Sequence, residues 1–376
     1  MIRPRFCPQP GCINHHKPNS RNTWYRSAGT YLTHAFGMVR RFRCTACGKY
    51  FSTQTFSIDY YSKRTISYQR LFTHLITTSS IRDMARDFSV SPTVILNKLA
   101  RLARNSTVIL QRLQQELSLD EDLAADGFES FTVSQYFPCH INLFAGKRSQ
   151  LVYWYDYVTL RRKGRMTEEQ KQRREQLEKR YRADPKGVEQ SFHRGYDYMA
   201  HLICDGRKQS VVLNTDEHPA YQRAKRSALA FRTLHDQGRL LHRCASSKAA
   251  RTRRNPLFPV NYLDRQLRKD LSEHVRESVC FGRNVNRVMD RCSIYVLYHN
   301  LKKPYRESRG DYRSHAEVAG LDRASVGQLL YGLYSRRMFG SRVMFDEMSR
   351  KRWLRMYETP LKEKPEYVPK HVAEAA

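Results

Sequence analysis

Three carboxylates in this chain stand where an α/β fold places chemistry. Asp216 ends the short apolar run Val211-Val212-Leu213-Asn214-Thr215 and is followed by Glu217-His218-Pro219, where a helical pattern begins. A β-branched run ending in an acid predicts a buried strand that delivers Asp216 to its C-terminal edge, the edge at which α/β sheets bind ligands. The other reading of the same residue is an acid capping the next helix. Asp126 lies in a second strand-like run, Leu123-Ala124-Ala125-Asp126-Gly127-Phe128, and Asp264 lies on an amphipathic helix predicted over 261–279. Three carboxylates suit Mg²⁺, a hard cation that prefers oxygen ligands. Two such ions, about 4 Å apart, clamp the attacking and leaving oxygens of a phosphodiester.

A second chemistry is carried by cysteine. Cys7 and Cys12 form one pair and Cys44 and Cys47 another, each in a turn with Gly, Pro or small residues. Two such knuckles can converge on one tetrahedral Zn²⁺, and four thiolates leave no open position, so the use is structural. His15, His16 and His34 are the alternative ligands. The other five of the nine cysteines are scattered through apolar contexts and read as ordinary buried thiols.

The charge says what these groups act on. The 376 residues hold 67 Lys+Arg against 36 Asp+Glu, a net charge of +31 spread along nearly the whole chain. A surface that positive suits a polyanion followed over a long path, which makes double-stranded DNA the expected partner. No apolar run approaches a membrane span and no signal-peptide core opens the sequence, so a cytoplasmic protein with no membrane partner is expected.

The elements that must position these residues fall into a multidomain α/β order. Residues 1–58 read as a zinc-binding module with short strands near Trp24 and over 38–43. Residues 60–118 read as helical. There Ser80 caps a short helix with Asp83 three positions on, Ser89-Val90-Ser91 turns, and Pro92 opens a long helix. That is a helix-turn-helix layout, with Thr93, Asn97 and Lys98 placed to meet DNA. Residues 119–306 go strand, strand, strand, helix, strand, helix, strand, helix, interrupted over 161–187 by an insertion that reads as a highly charged helical hairpin, solvent-exposed or DNA-facing. With an acid on the first strand, another ending the fourth and a third on a late helix, this is a ribonuclease-H-like mixed sheet with helices. A helical, basic C-terminal region follows over 307–358, and a proline-bearing tail over 359–376 is expected to be disordered.

Several stretches carry a resemblance. The cysteine pairs, the helix-turn-helix, Asp126 in a strand, Thr215-Asp216-Glu217-His218 in another, and the run from Asp264-Arg265-Gln266-Leu267 to Cys280-Phe281-Gly282-Arg283-Asn284 resemble a bacterial insertion-sequence transposase of the DDE type. The likeness covers roughly residues 5–310 and rests on the combination and order of its parts. It implies a zinc ribbon, a DNA-binding domain and a catalytic acidic triad of Asp126, Asp216 and a third acid. It also implies a homo-oligomer in the bacterial cytoplasm, at the nucleoid, that binds the element's terminal inverted repeats and target DNA, cleaves and transfers strands. The third acid departs from the pattern, which has Glu on the last helix. Asp264 is the first choice, Glu273 the alternative, and Asn261 stands where some relatives carry Glu. Arg265, Arg268 and Arg276 are then phosphate contacts or ion-pair partners on a basic helix, and Glu129 and Glu217 lie beside the strand acids.

Two further functions share most of these features. A catalytically inactive, domesticated transposase would be a sequence-specific DNA-binding regulator, and a nuclease of the same fold would cut without strand transfer. They differ in whether the acids converge.

Overall fold

The computed structural model describes residues 4–18, 23–206, 208–246, 248–275 and 279–375. The chain divides into two compact units, one of residues 1–112, 329–357 and 366–376, the other of residues 113–328 and 358–365. No helix among the described residues is long and apolar enough to cross a membrane.

In the first unit a short helix α1 (Ile13–His16) precedes an antiparallel sheet of β1 (Tyr25–Thr33), β2 (Gly37–Cys44) and β3 (Tyr50–Ser52). A sheet this small needs staples, and Trp24 stacks on Phe51 at 5.4 Å to supply one. Three helices follow: α2 (Tyr68–Ile76), α3 (Ile81–Asp87) and α4 (Pro92–Glu116). Ser80 and Asp83 form the reciprocal cap that the sequence predicts, Ser89 takes a left-handed φ of 51°, and Pro92 starts α4. The C-terminal part belongs to this unit by specific bonds. Asn105 of α4 donates to the carbonyls of Leu333 and Arg336 and accepts the Met338 N–H.

In the second unit β4 (Leu123–Phe131), β5 (Pro138–Gly146) and β6 (Val152–Thr159) form an antiparallel meander. β7 (Val211–Thr215) then pairs parallel to β4, and β8 (Leu240–Cys244) parallel to β7, giving the order β6-β5-β4-β7-β8. Helices cover both faces, which is why β6 is buried along its whole length. Strand alternation separates the two faces cleanly. Phe144 and Asp156 point to α6 (Gly187–Asp205), where they meet Phe192 and Ser191, while Tyr155 points the other way and bonds Ser293. Ser293 lies on α10 (Val285–Leu301), and α9 (Phe258–Asp270) packs on β4 and β5. α7 (Pro219–Ser227) and α8 (Leu229–Asp236) pack with α6.

Four expectations differ from this structure. The helical pattern that begins at Pro219 forms two helices, because Ala228 leaves helical geometry at ψ 101° between α7 and α8. The 261–279 helix ends at Asp270, where Leu271 turns extended (φ −113°, ψ 118°) before a 3₁₀ turn over Ser272–His274. The 161–187 insertion holds one helix, α5 (Glu168–Glu178), in place of a hairpin, and that helix has no buried residue, as expected. The tail is tied down. The Thr359 hydroxyl accepts the Val285 N–H at 3.1 Å, and the Trp353 indole donates to the Val372 carbonyl at 2.9 Å.

Candidate active site and metal centre

Asp126 sits midway along β4. Its Oδ1 accepts the Gly127 N–H at 2.7 Å and the Tyr221 hydroxyl at 3.3 Å. Two residues on, Phe128 shares its face of the sheet and meets the His274 ring edge-on and the Arg268 guanidinium at 4.7 Å. Asp126 therefore faces the α9 side. The β4–β7 register places Leu123 opposite Leu213 and Ala124 opposite Asn214. Continued two residues, it sets Asp216 beside Asp126. Burial first, and then the charge of Asp216, push the Asp126 carboxyl up to about 6.

Asp216 Oδ1 accepts the His218 N–H at 2.9 Å, an Asx turn that ends β7. The α7 cap is His218, whose Nδ1 accepts the Ala220 N–H at 3.2 Å. Asp216 thus lies outside the helix, with its second oxygen uncommitted to a cap.

Asp264 arrives from α9. Val260, Leu263 and Leu267 of that helix are buried, and Asp264 follows Leu263 on the inward side. Its Oδ1 is buried with no hydrogen-bond partner. Burial and then the Asp126 charge push its carboxyl up to about 7, against the opposing pull of Arg268 and Arg251. Asp126 feels Asp216 and Asp264 feels Asp126, so the three acids form one cluster. Among the described residues only the four N-terminal cysteines bring three or more ligand atoms within 4.8 Å of one another, and the acids act on each other through charge.

Other candidates stand elsewhere. Glu273 is buried and ion-paired with Arg291, which holds its carboxyl low against the opposing effect of burial. It lies past the end of α9 and corrects the alternative third acid. Arg268 donates to the Glu129 carbonyl at 2.8 Å, Arg265 is exposed, and Arg276 lies outside the described residues. Asn261 is buried and Glu217 exposed. Thr93 and Asn97 are exposed near the start of α4. Lys98 is a correction: it points inward, pairing with Asp59 and donating to the Ser62 hydroxyl at 2.7 Å. A carboxylate thirty-nine residues upstream claims the ammonium that a surface contact would need.

Residues that sequence reasoning did not single out complete the acid cluster's surroundings. His140 bonds Glu129 at 3.3 Å, lies beside His218 with ring centroids 6.3 Å apart, and closes on Gly127. A Cβ at Gly127 would lie 2.6 Å from His140 Nδ1, so only glycine fits under that ring. The signal was present as a lone Gly inside a strand, which marks a close approach.

The four cysteines of the N-terminal pairs do converge. Their Sγ atoms lie within 4.8 Å of one another, with Cys7–Cys47 at 3.6 Å and Cys12–Cys44 at 3.7 Å. Tetrahedral zinc with Zn–S bonds of about 2.3 Å requires sulfurs about 3.8 Å apart. Burial raises the Cys44 thiol, but the Cys47 N–H, the Asn14 amide and the Ala46 N–H outweigh it and bring it down to about 6. The group can hold a metal such as zinc. His15 is not a rival ligand, since its Nδ1 meets the Cys7 carbonyl at 2.7 Å and its Nε2 the Ser341 hydroxyl at 3.0 Å.

No protein-family model matches this chain, and no curated protein matches it either.

Proposed function

We propose that this chain is a DDE-type DNA transposase, built of a zinc ribbon, a helix-turn-helix domain and a ribonuclease-H-like catalytic domain. Asp126, Asp216 and Asp264 would hold Mg²⁺ and Cys7, Cys12, Cys44 and Cys47 a structural Zn²⁺. The observation that carries the reading is that Asp126 and Asp216 each follow by two residues the last paired positions of adjacent parallel strands, with the charge of Asp216 felt by Asp126 and that of Asp126 by Asp264 on α9. The strand order β6-β5-β4-β7-β8 supports it, because it pairs the strand that carries Asp126 with the strand that Asp216 follows.

Bound Mg²⁺ supplies an activated water and stabilises charge on the phosphodiester oxygens. The protein's part is to keep the acids in place. The Gly127 N–H and the Tyr221 hydroxyl fix one oxygen of Asp126, and the His218 N–H fixes one oxygen of Asp216, leaving the other oxygen of each for a cation. Exposed Thr93 and Asn97 would read the terminal inverted repeats, and a homo-oligomer would bring paired ends to target DNA. A non-catalytic regulator has no use for half-buried acids that raise one another's proton affinity, which favours the enzyme.

The test is strand cleavage and strand transfer on duplexes carrying the ends of the element. Full-length protein with Mg²⁺ should nick and join them, and Asp126→Asn should abolish both while leaving duplex binding within a few-fold. Cleavage by the Asp126→Asn, Asp216→Asn double variant would end the assignment.

A further inference from the structure

The first acidic residue in this chain is Asp59; before it stand nine basic residues, seven Arg and two Lys. Three of those arginines gather on one face of the β1–β2–β3 sheet. Arg26 lies directly opposite Arg43 in the β1–β2 register, and Arg43 lies directly opposite Tyr50 in the β2–β3 register. The Arg41 and Arg43 guanidiniums each stand 5.6 Å from the Tyr50 ring centroid. The Arg41 Nε–H donates to the Ala28 carbonyl at 3.1 Å, which holds that side chain in place. All four residues are exposed, and among the described residues none of the three arginines meets a carboxylate.

Like charges directly opposite each other across an antiparallel pair destabilise it. A fold that sets two guanidiniums over one aromatic ring and a third opposite one of them, without a carboxylate partner among the described residues, leaves that cost for a ligand to remove. The ligand must be a polyanion with closely spaced charges, presented to a flat face about two strands wide. A duplex backbone meets this, with one negative charge per about 1.7 Å of helix axis, and guanidinium forks match phosphate oxygens. The Tyr50 ring keeps Arg41 and Arg43 apart and oriented, at small entropic cost on binding.

We propose that the Arg26–Arg41–Arg43 face of the zinc-bearing sheet is a second duplex-DNA contact surface, separate from the exposed start of α4. It grips phosphates and reads no base. The inference rests on the DNA-binding reading above, and one titration separates the two. Full-length, zinc-loaded protein is titrated with a labelled mixed-sequence DNA duplex at rising salt. Arg26→Gln/Arg43→Gln should bind more weakly at low salt and reduce the salt slope by about 2, since each phosphate contact contributes about 1. Arg26→Lys/Arg43→Lys should keep the slope. Zinc content equal to wild type shows that the module remains folded.

A wild-type protein without salt-dependent duplex binding overturns the DNA-binding reading and this inference with it. Wild-type binding together with an unchanged affinity and slope in the Gln variant overturns this inference alone. Competition by duplex RNA stronger than by duplex DNA would assign the face to a different partner and also overturn it.

Discussion

Asp126 and Asp216 each stand two residues past the last paired positions of β4 and β7, Ala124 and Asn214, although the chain makes two further strands and two helices between them. Only the pairing of β4 with β7 creates this neighbourhood, and the β4–β7 ladder is short, ending at Ala124 and Asn214. The strands separate just where the acids emerge, which is where an open sheet leaves room for a ligand.

The third position of this cluster can be decided by contrast. Asp264→Asn should abolish cleavage with little loss of stability, since it removes a carboxylate that burial and Asp126 already disfavour. Glu273→Gln should do the reverse. It leaves Arg291 buried without its partner, at a cost of about 3–5 kcal/mol in urea unfolding. Full cleavage in Asp264→Asn would remove Asp264 from the site.

The same cluster sets a pH dependence. Unfolded, Asp126 and Asp264 titrate near the ordinary aspartate value of about 4. Folded and metal-free, they hold protons up to about 6 and about 7. Between those limits the folded state binds more protons than the unfolded one, so this contribution to stability falls as pH rises from about 4 to about 7. Mg²⁺ held as proposed by these acids would have to displace those protons, so the rise in Tm on adding it should be larger at about pH 8 than at about pH 5.5. Asp264→Asn should flatten the difference, and an equal rise at both pH values would contradict it.

Much of this site was legible because its elements carry their own signals. The run 211–215 is short, β-branched and stopped by Asp-Glu-His-Pro, and both cysteine pairs sit in turns. What was not legible depends on partners far away in sequence. Periodicity carried the 261–279 helix through Glu273, because nothing local announces that Leu271 turns extended; the cause is the Glu273–Arg291 pair and the burial of His274. Lys98 falls on the buried stripe of α4, three residues after Ile95 and four before Leu102, and Asp59 meets it there. The tail looks disordered by composition, and its order comes from bonds to Val285, Trp353 and Arg337.

That inward turn of Lys98 separates two kinds of effect on α4. Lys98→Met should lower stability by several kcal/mol, since it leaves the buried Asp59 carboxylate without its cation and with the Tyr68 hydroxyl as its side-chain donor. DNA affinity per folded molecule should not change. Asn97→Ala should leave stability intact and cost about 1–3 kcal/mol of discrimination between duplex sequences. A Lys98→Met protein that is stable but blind to DNA would reverse this assignment.

Gly127 tests whether the surroundings of Asp126 are as tight as the acids require. It lies next to Asp126 in β4 and points to the opposite face, where an added Cβ would meet His140 Nδ1 at 2.6 Å, His140 Cγ at 2.9 Å and Asn142 Oδ1 at 3.0 Å. None of these is the far end of a flexible chain: the ring is buried, and Asn142 donates to Ser191, which in turn donates to Asp156. Gly127→Ala must therefore shift β4 itself, at a cost of about 1–3 kcal/mol, and carry the Asp126 carboxylate away from Asp216. Cleavage should fall by more than tenfold, as about 1 Å of misplacement can cost two orders of magnitude in rate. Duplex binding should stay near wild type. Gly127→Ala/His140→Ala removes the harder clash and should recover most of the stability and part of the cleavage. If Gly127→Ala cleaves at the wild-type rate, the precise spacing of Asp126 and Asp216 is not what the chemistry depends on.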